Sequence, residues 1–302
     1  MHHFTETIDG WVAWERVYQS IPAWEPLIRH IFEKENLPFT WVEYLNPGSN
    51  AVFKIGAYVA KIYAPPESGM DSYGDYQTEI FAVRRAKALG VCAPECVAAG
   101  RVCEKYNFDY MIMRFIEGVE FDAAAKNYTA QEKYAVGRQL RDISNKLNTA
   151  CEDFNGIDAI HDPSRATRFE CFLESFKAER LAWLSSYEFG EKVFVHGDLN
   201  SDNILVTPDG RLCIIDFADA VLAPMNYEYV LICELFKYER AYLEGFFGKY
   251  NIDELTDICL EGMLIHDFGG DIARLCIAPP EEITGIGVLR QRLREKITRG
   301  AS

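Results

Sequence analysis

Three oxygen-bearing side chains stand in one short stretch of this chain: Asp198, Asn203 five residues later, and Asp216 thirteen residues after that. Phosphoryl transfer from a nucleotide needs such a set. One carboxylate orients the attacking hydroxyl. An amide oxygen and a second carboxylate hold the magnesium that neutralises the phosphates. The residues between supply the scaffold. Phe194-Val195 and Ile204-Leu205-Val206 are short β-rich runs, Pro208-Asp209-Gly210 reads as a turn, and Leu212 to Ile215 is a further run. That order predicts a β-hairpin, which brings Asn203 and Asp216 within reach of one ion.

The remaining elements must carry this hairpin. Residues 10–33 show helical spacing, with Pro22 and Pro26 expected at the join of two short helices. Strands are expected over 40–44, 51–55 and 57–63, joined by Asn46-Pro47-Gly48-Ser49-Asn50 and by Gly56. A helix over 75–89 and strands over 96–103 and 108–115 follow, and Gly118 ends the strand-rich part. Beyond it the pattern predicts helices over 129–149, 165–186, 226–248, 252–274 and 280–298, interrupted by the hairpin. Strands first and helices after read as an α+β fold of two lobes.

The run His196-Gly197-Asp198, with Asn203 and Asp216, resembles the catalytic and metal-binding segments of the aminoglycoside phosphotransferase and choline kinase superfamily. These are small-molecule kinases with a protein-kinase-like fold. His-Gly-Asp favours this branch over protein kinases, which usually have His-Arg-Asp. The resemblance implies an antiparallel N-terminal sheet with helices and a mainly helical C-terminal lobe. The lobes are expected at 1–116, for nucleotide, and 117–302, for catalysis and acceptor. It also implies Asp198 as the catalytic aspartate, Asn203 and Asp216 as magnesium ligands, and ATP or GTP as the donor. Ala218 stands where protein kinases have Gly after the Asp-Phe pair, a position that varies in the small-molecule branch. The resemblance is specific over 194–230, fair over 39–118 and architectural elsewhere.

On the nucleotide side, Lys61 on the third strand occupies the place of the lysine that contacts the α and β phosphates. Glu79 is its expected partner. It shares a helix face with Ala82, Val83 and Ala86, so it should point inward, and an inward carboxylate needs a cation. Glu67, after Pro65-Pro66, is the poorer choice. The Asn46 to Asn50 turn is expected to cover the phosphates, with Ser49 and Asn50 as side-chain donors. Backbone groups of Arg114, Phe115 and Ile116 are expected to meet the purine edge, and Ile215 to form an apolar floor under the base.

For the acceptor, Asp219, Glu228, Glu234, Asp267 and Asp271 are candidates to hold a cation. Tyr227, Tyr229, Phe236, Tyr238 and Phe268 are candidate stacking surfaces. Glu228 has a second reading, as the acidic residue that braces the catalytic loop in the family. The Asn226-Tyr227-Glu228 run is similar to one in hygromycin-type antibiotic kinases, which favours an aminoglycoside-phosphotransferase-like protein. The kinase motif, the net charge of -15 and the acidic and aromatic residues interleaved over 218–271 together make a small, hydroxyl-bearing, cationic acceptor the expectation. Choline, an amino sugar or another metabolite is the alternative, as is a kinase-fold module that binds nucleotide without turnover. Asp267-Phe268-Gly269 spells the protein-kinase metal triplet but falls in a helix-like run, and is assigned no metal. Gly245 to Lys249 lacks the spacing of a phosphate loop. His196 is expected to brace its loop, and Asp202 to brace it or face water.

The 31 basic and 46 acidic residues give a net charge of -15, which argues against nucleic acid and anionic membrane as partners. The nine cysteines are scattered and odd in number. Cys213 and Cys259 read as reduced core residues, and Cys92 and Cys96 as half-buried thiols with no second metal-ligand pair. No stretch has the length of a membrane span, and Met1-His2-His3 does not open an apolar signal. A cytoplasmic monomer is the expectation.

Overall fold

The computed structural model describes residues 2–46, 48–70 and 72–300. The chain divides into two compact units: Met1–Ala88 with Cys92–Glu117, and Leu89–Val91 with Gly118–Ser302. The expected boundary was 116/117. Among the described residues, no helix is long and apolar enough to cross a membrane.

The first unit opens with helices α1 (Trp11–Val17) and α2 (Ile21–Lys34). Pro22 sits in the first turn of α2, where a missing N–H is harmless, but Pro26 lies inside the helix rather than at a join. An antiparallel sheet follows, built from β1 (Val42–Tyr44), β2 (Ala51–Ile55), β3 (Tyr58–Ile62), β4 (Cys96–Cys103) and β5 (Asn107–Arg114), in the order β1-β2-β3-β5-β4. Helix α3 (Tyr73–Ala88) lies between β3 and β4 in sequence.

Successive side chains on a strand face opposite ways, and this sheet has work for both faces. Tyr58, Ala60 and Ile62 of β3 join Phe108, Tyr110 and Ile112 of β5 in a large core with Trp14, Trp24, Leu27 and Phe32 from the helices. Val59 and Tyr63 point the other way, with Met111 and Met113 of β5, to pack against Tyr76 and Ile80 of α3. Lys61 falls on this second face by alternation.

The second unit contains β6 (Val119–Glu120), α4 (Phe121–Ala125), α5 (Ala130–Leu147), α6 (Glu174–Ser186), β7 (Val193–Val195), β8 (Ile204–Val206), β9 (Leu212–Ile214) and β10 (Val221–Ala223). Then come α7 (Asn226–Leu235), α8 (Arg240–Phe247), α9 (Ile252–Ile265), α10 (Gly269–Ile272), a π-helical turn at Ala273–Ile277, and α11 (Ile286–Gly300). Thr129 and Glu132 form a capping box that starts α5. Helices α5 and α8 cross at Gly137 and Gly245, where a Cβ on either would run into a backbone carbonyl of the other helix.

Three long helices of the sequence reading are interrupted. The 165–186 run divides into a 3-10 stretch, Pro163–Phe169, and α6. The 226–248 run breaks where Lys237 and Tyr238 take left-handed backbone angles, φ 52° and 58°. The 252–274 run ends at Ile265, so Asp267-Phe268-Gly269 lies at the break between α9 and α10 and not inside a helix. The 280–298 helix begins only at Ile286, after a 3-10 turn. Two short strands escaped the reading: β6 pairs with β8, and β10 with β7.

Candidate active site

The hairpin forms as its turn residues demand. β8 and β9 pair antiparallel, with Ile204 opposite Ile214 and Val206 opposite Leu212. The Gly210 amide donates to the Thr207 carbonyl at 2.8 Å across the turn. At the open end the Ile215 amide donates to the Asn203 carbonyl at 3.0 Å, so Asn203 and Asp216 flank one closing hydrogen bond. Asp216 has φ 56°, a left-handed conformation that Asp tolerates better than most residues.

The loop before β8 is organised around Asp198. Asn203 Nδ2 donates to the Asp198 carbonyl at 2.8 Å and to Oδ2 at 2.9 Å, while Asn200 Nδ2 donates to Oδ1 at 2.9 Å. An ionised carboxylate only accepts, so it is the amide nitrogen of Asn203 that faces it. The Asn203 oxygen is thereby turned away from Asp198. Asn200 was missed in the sequence. Its Oδ1 accepts from the Asp202 and Asn203 amides at 2.9 and 3.2 Å, an Asx-type turn that Asn at this spacing signals.

Two side chains fix the loop from behind. The ring of His196 donates from Nε2 to the Ile215 carbonyl at 3.0 Å and accepts the Asp198 amide on Nδ1 at 3.2 Å. Glu228 of α7 accepts the His196 amide at 2.5 Å and lies against the Gly197 amide too. Gly197 has φ 82°, and a Cβ there would lie far inside contact with the Asp219 carbonyl. Arginine, the protein-kinase residue at this place, does not fit that backbone.

Electrostatics follow from this enclosure. Burial pushes the Asp198 carboxyl up to about 6, the charges of Asp216 and Asp202 adding to the rise and the two Asn amides holding it back. Burial likewise raises Glu228 to about 7, against the loop amides that donate to it. His266, fully buried and stacked on Tyr227 at 3.9 Å, is held well below its usual pKa by burial and by Arg165 and Arg168.

In the first unit, Lys61 Nζ donates to Glu79 Oε2 at 2.6 Å, and both side chains are buried. Tyr63 donates to the same oxygen at 2.6 Å. Tyr63 was not foreseen, although its position two residues after Lys61 puts it on the same strand face. Asn50 differs from expectation: it is buried, and its Oδ1 accepts the Ala64 amide at 3.0 Å, tying the 46–50 loop to the end of β3. Ser49 is exposed, with its carbonyl bonded by Trp14 Nε1, and Pro47 of the same turn lies outside the described residues. The amides of Arg114 and Phe115 donate at 2.9 Å to the carbonyls of Glu95 and Ala57, so they serve the sheet rather than a purine edge. The amide of Ile215, expected to floor the base, closes the hairpin, and its side chain is half-buried.

The acidic candidates for the acceptor are largely committed elsewhere. Glu228 braces the loop. Glu234 accepts from Lys296 at 3.0 Å and from Tyr238 at 2.7 Å. Asp271 pairs with Arg168 at 2.5 Å and Arg274 at 2.9 Å. Asp219 and Asp267 both act on the half-buried Arg165 guanidinium. Burial disfavours that cation, but Tyr227, Asp267 and Asp219 outweigh it and leave its pKa raised. The aromatic candidates are closed as well: Tyr227, Tyr229, Phe236 and Tyr238 are buried, and Phe268 is covered by Arg168 at 4.4 Å. Long-range packing explains part of these corrections, since Lys296 and Arg168 lie far from Glu234 and Asp271 in sequence. The cysteine reading changes too. Cys259 is a buried free thiol and Cys96 a half-buried one, but Cys213 is disulfide-bonded, and so is Cys92.

A profile of the Phosphotransferase enzyme family matches residues 40–258. No curated protein matches the chain. Among solved structures, the GDP complex of wild-type aminoglycoside 2'-phosphotransferase-IIIa is 18% identical with a TM-score of 0.57, over 93% of this chain and 99% of that one. A thermostable mutant of aminoglycoside phosphotransferase APH(4)-Ia, in ternary complex with ADP and hygromycin B, is 17% identical with a TM-score of 0.56, over 91% and 98%. Amicoumacin kinase hAmiN, in complex with AMP-PNP, Ca2+ and Ami, is 13% identical with a TM-score of 0.54, over 90% and 93%. At these identities the likeness establishes the two-lobed, kinase-like α+β fold. The family profile spans most of the sequence, including the Asp198 loop and the hairpin, and the chain therefore belongs to the phosphotransferase enzyme family.

Proposed function

We propose that this small-molecule kinase moves the γ-phosphoryl group of ATP or GTP to a hydroxyl of a small acceptor, with Asp198 orienting that hydroxyl. The observation that carries the reading is the fixed Asp198 carboxylate, held by Asn200 and Asn203 and raised to about 6. At neutral pH it is ionised yet basic enough to take the hydroxyl proton as the new P–O bond forms and the nucleoside diphosphate leaves. Asn203 and Asp216 are the proposed magnesium ligands. They offer an amide oxygen turned away from Asp198 and a carboxylate, the hard oxygen donors that Mg2+ prefers. When bound, that ion neutralises phosphate charge.

Lys61 is the proposed phosphate contact. Glu79 and Tyr63 hold its neighbourhood rigid, so its ammonium need not be ordered when nucleotide arrives. Ser49 and the backbone amides of the 46–50 loop are the proposed phosphate cover, with Asn50 as their brace. The segment around Ile116 is the proposed contact for the adenine or guanine edge. For the acceptor, Asp219 and Asp267 are proposed to meet a cationic group, with Arg165 offsetting part of their charge. The net charge of -15 argues against nucleic acid and anionic membrane as partners.

The test is a panel of hydroxylated acceptors, cationic and neutral, assayed for ADP or GDP release. Acceptor-dependent release, lost in Asp198→Asn, is expected. Nucleotide binding with no turnover on any acceptor would favour the binding module instead. A neutral or anionic acceptor would remove the cationic preference and leave the kinase reading standing.

A further inference from the structure

Away from the hairpin, the sheet-rich unit brings two imidazoles and a carboxylate together from three separate segments. His3 lies at a bend in the N-terminal segment before α1, His30 on the second half of α2, and Glu104 just past the end of β4. His3 Nδ1 is 2.8 Å from Glu104 Oε1, and the His3 backbone amide donates to Oε2 at 2.8 Å. The rings of His3 and His30 stack at 4.2 Å with planes 9° apart. One donor atom from each of the three residues lies within 4.8 Å of the others. All three are half-buried, and both histidines edge a surface cleft that also includes Glu25, Arg29 and Glu33.

An ion pair accounts for His3 and Glu104 but not for His30. A second imidazole beside the first gains little from stacking alone, and it repels the first if both are protonated. A shared cation changes that balance, because neutral imidazoles and an ionised carboxylate are all donors to it.

We infer that His3, His30 and Glu104 bind a divalent transition metal of the zinc class. Two nitrogens and one carboxylate oxygen form a set that zinc accepts, with a fourth position left for water or for His2, whose Nδ1 is 3.1 Å from Glu104 Oε2. Imidazole ligands favour zinc over magnesium, so this ion is chemically distinct from the one proposed to accompany the nucleotide. Zinc bonds of about 2.0–2.2 Å require the three donors to draw closer and the rings to turn out of their parallel stack. The half-exposed histidines have room to do so. The ion ties the N-terminal segment to α2 and to the end of β4. Phe4, the next residue, is fully buried against Trp24 and Phe108, so the metal secures a segment whose apolar anchor is already in the core. This inference does not depend on the kinase reading.

The test uses the full chain stripped with a chelator and titrated with zinc by calorimetry, alongside cobalt(II) as a visible-absorbing probe. One equivalent of zinc, visible bands from bound cobalt and a higher Tm with zinc are expected, with no such response to magnesium. His30→Ala and Glu104→Gln should each weaken binding by about 10-fold or more, as loss of a metal-site partner does. Both should abolish the zinc-dependent Tm shift. His161→Ala, whose ring pairs with Asp158, should not. Circular dichroism of the two ligand variants checks that they are folded, and His30→Gln replaces His30→Ala if the latter is not. Absence of a zinc equivalent in the native chain, or unchanged affinity in the folded His30 and Glu104 variants, overturns the site.

Discussion

Asp198→Asn should make the protein more stable while abolishing transfer, and the size of the gain follows from the enclosure of Asp198. The carboxyl moves from 3.8 to about 6 on folding, chiefly because it is buried. A shift of that size corresponds to about 3 kcal/mol against the native state once both forms are ionised. The sign is fixed by which state holds the proton. Below pH 3.8 both states carry it and the penalty is absent. Between pH 3.8 and about 6 only the unfolded chain ionises freely, so the penalty grows. Above about 6 it is constant. The Asn variant escapes it, but its own NH2 group then faces an Asn200 or Asn203 donor, a mismatch that costs about 1 kcal/mol or more. The net expectation near pH 7.5 is a gain of about 1–2 kcal/mol, shrinking towards zero or below near pH 4. Thermal or urea unfolding of both proteins across pH 4–8 reads this directly, and turnover should fall about 100-fold or more. A variant less stable than the native protein at pH 7.5, or a stability difference that does not vary with pH, would refute burial as the origin of the raised carboxyl.

Other perturbations test the remaining parts. Glu79→Ala leaves the buried Lys61 ammonium without its carboxylate, and breaking such a pair costs about 3–5 kcal/mol. Unfolding should begin earlier and the nucleotide KM should rise, and a native-like melting curve would show that the pair holds nothing. Gly197→Ala forces a side chain against the Asp219 carbonyl at φ 82°, so a loss of about 2 kcal/mol or more and a collapse of kcat are expected from denaturation and kinetics. Chelating magnesium should weaken nucleotide binding by calorimetry, and Asp216→Ala should make binding insensitive to the chelator. Equal magnesium dependence in the variant would remove Asp216 as a ligand.

Local signals carried much of the architecture. The Pro208-Asp209-Gly210 turn and its flanking β-rich runs specify the hairpin, because turn chemistry and side-chain alternation act over a few residues. Alternation likewise put Lys61 opposite α3, and the apolar face around Glu79 turned that carboxylate inward. What stayed hidden depends on distant partners. Nothing near Glu234 announces Lys296, and nothing near Asp271 announces Arg168, so both read as available charges. The break after α7 was also silent. Lys237 and Tyr238 carry the left-handed angles that Gly or Asn usually signals, and tertiary packing imposed them instead. Asn50 illustrates the same limit in the first unit, since a donor suited to a phosphate is equally suited to the Ala64 amide.

The two-faced strand β3 sets how this chain can change in length. Lys61 meets Glu79 only because Tyr58, Ala60 and Ile62 occupy the opposite face, in the core beneath α1 and α2. A deletion or insertion of one residue within β3 would reverse every side chain beyond it, driving the ammonium into that core and an aliphatic side chain against Glu79. Paired changes of two residues would keep the faces but shift the register against β2 and β5. Length variation among descendants of this sequence should therefore be barred from β3 and gather at exposed turns such as Asp209-Gly210, where an added residue alters no facing.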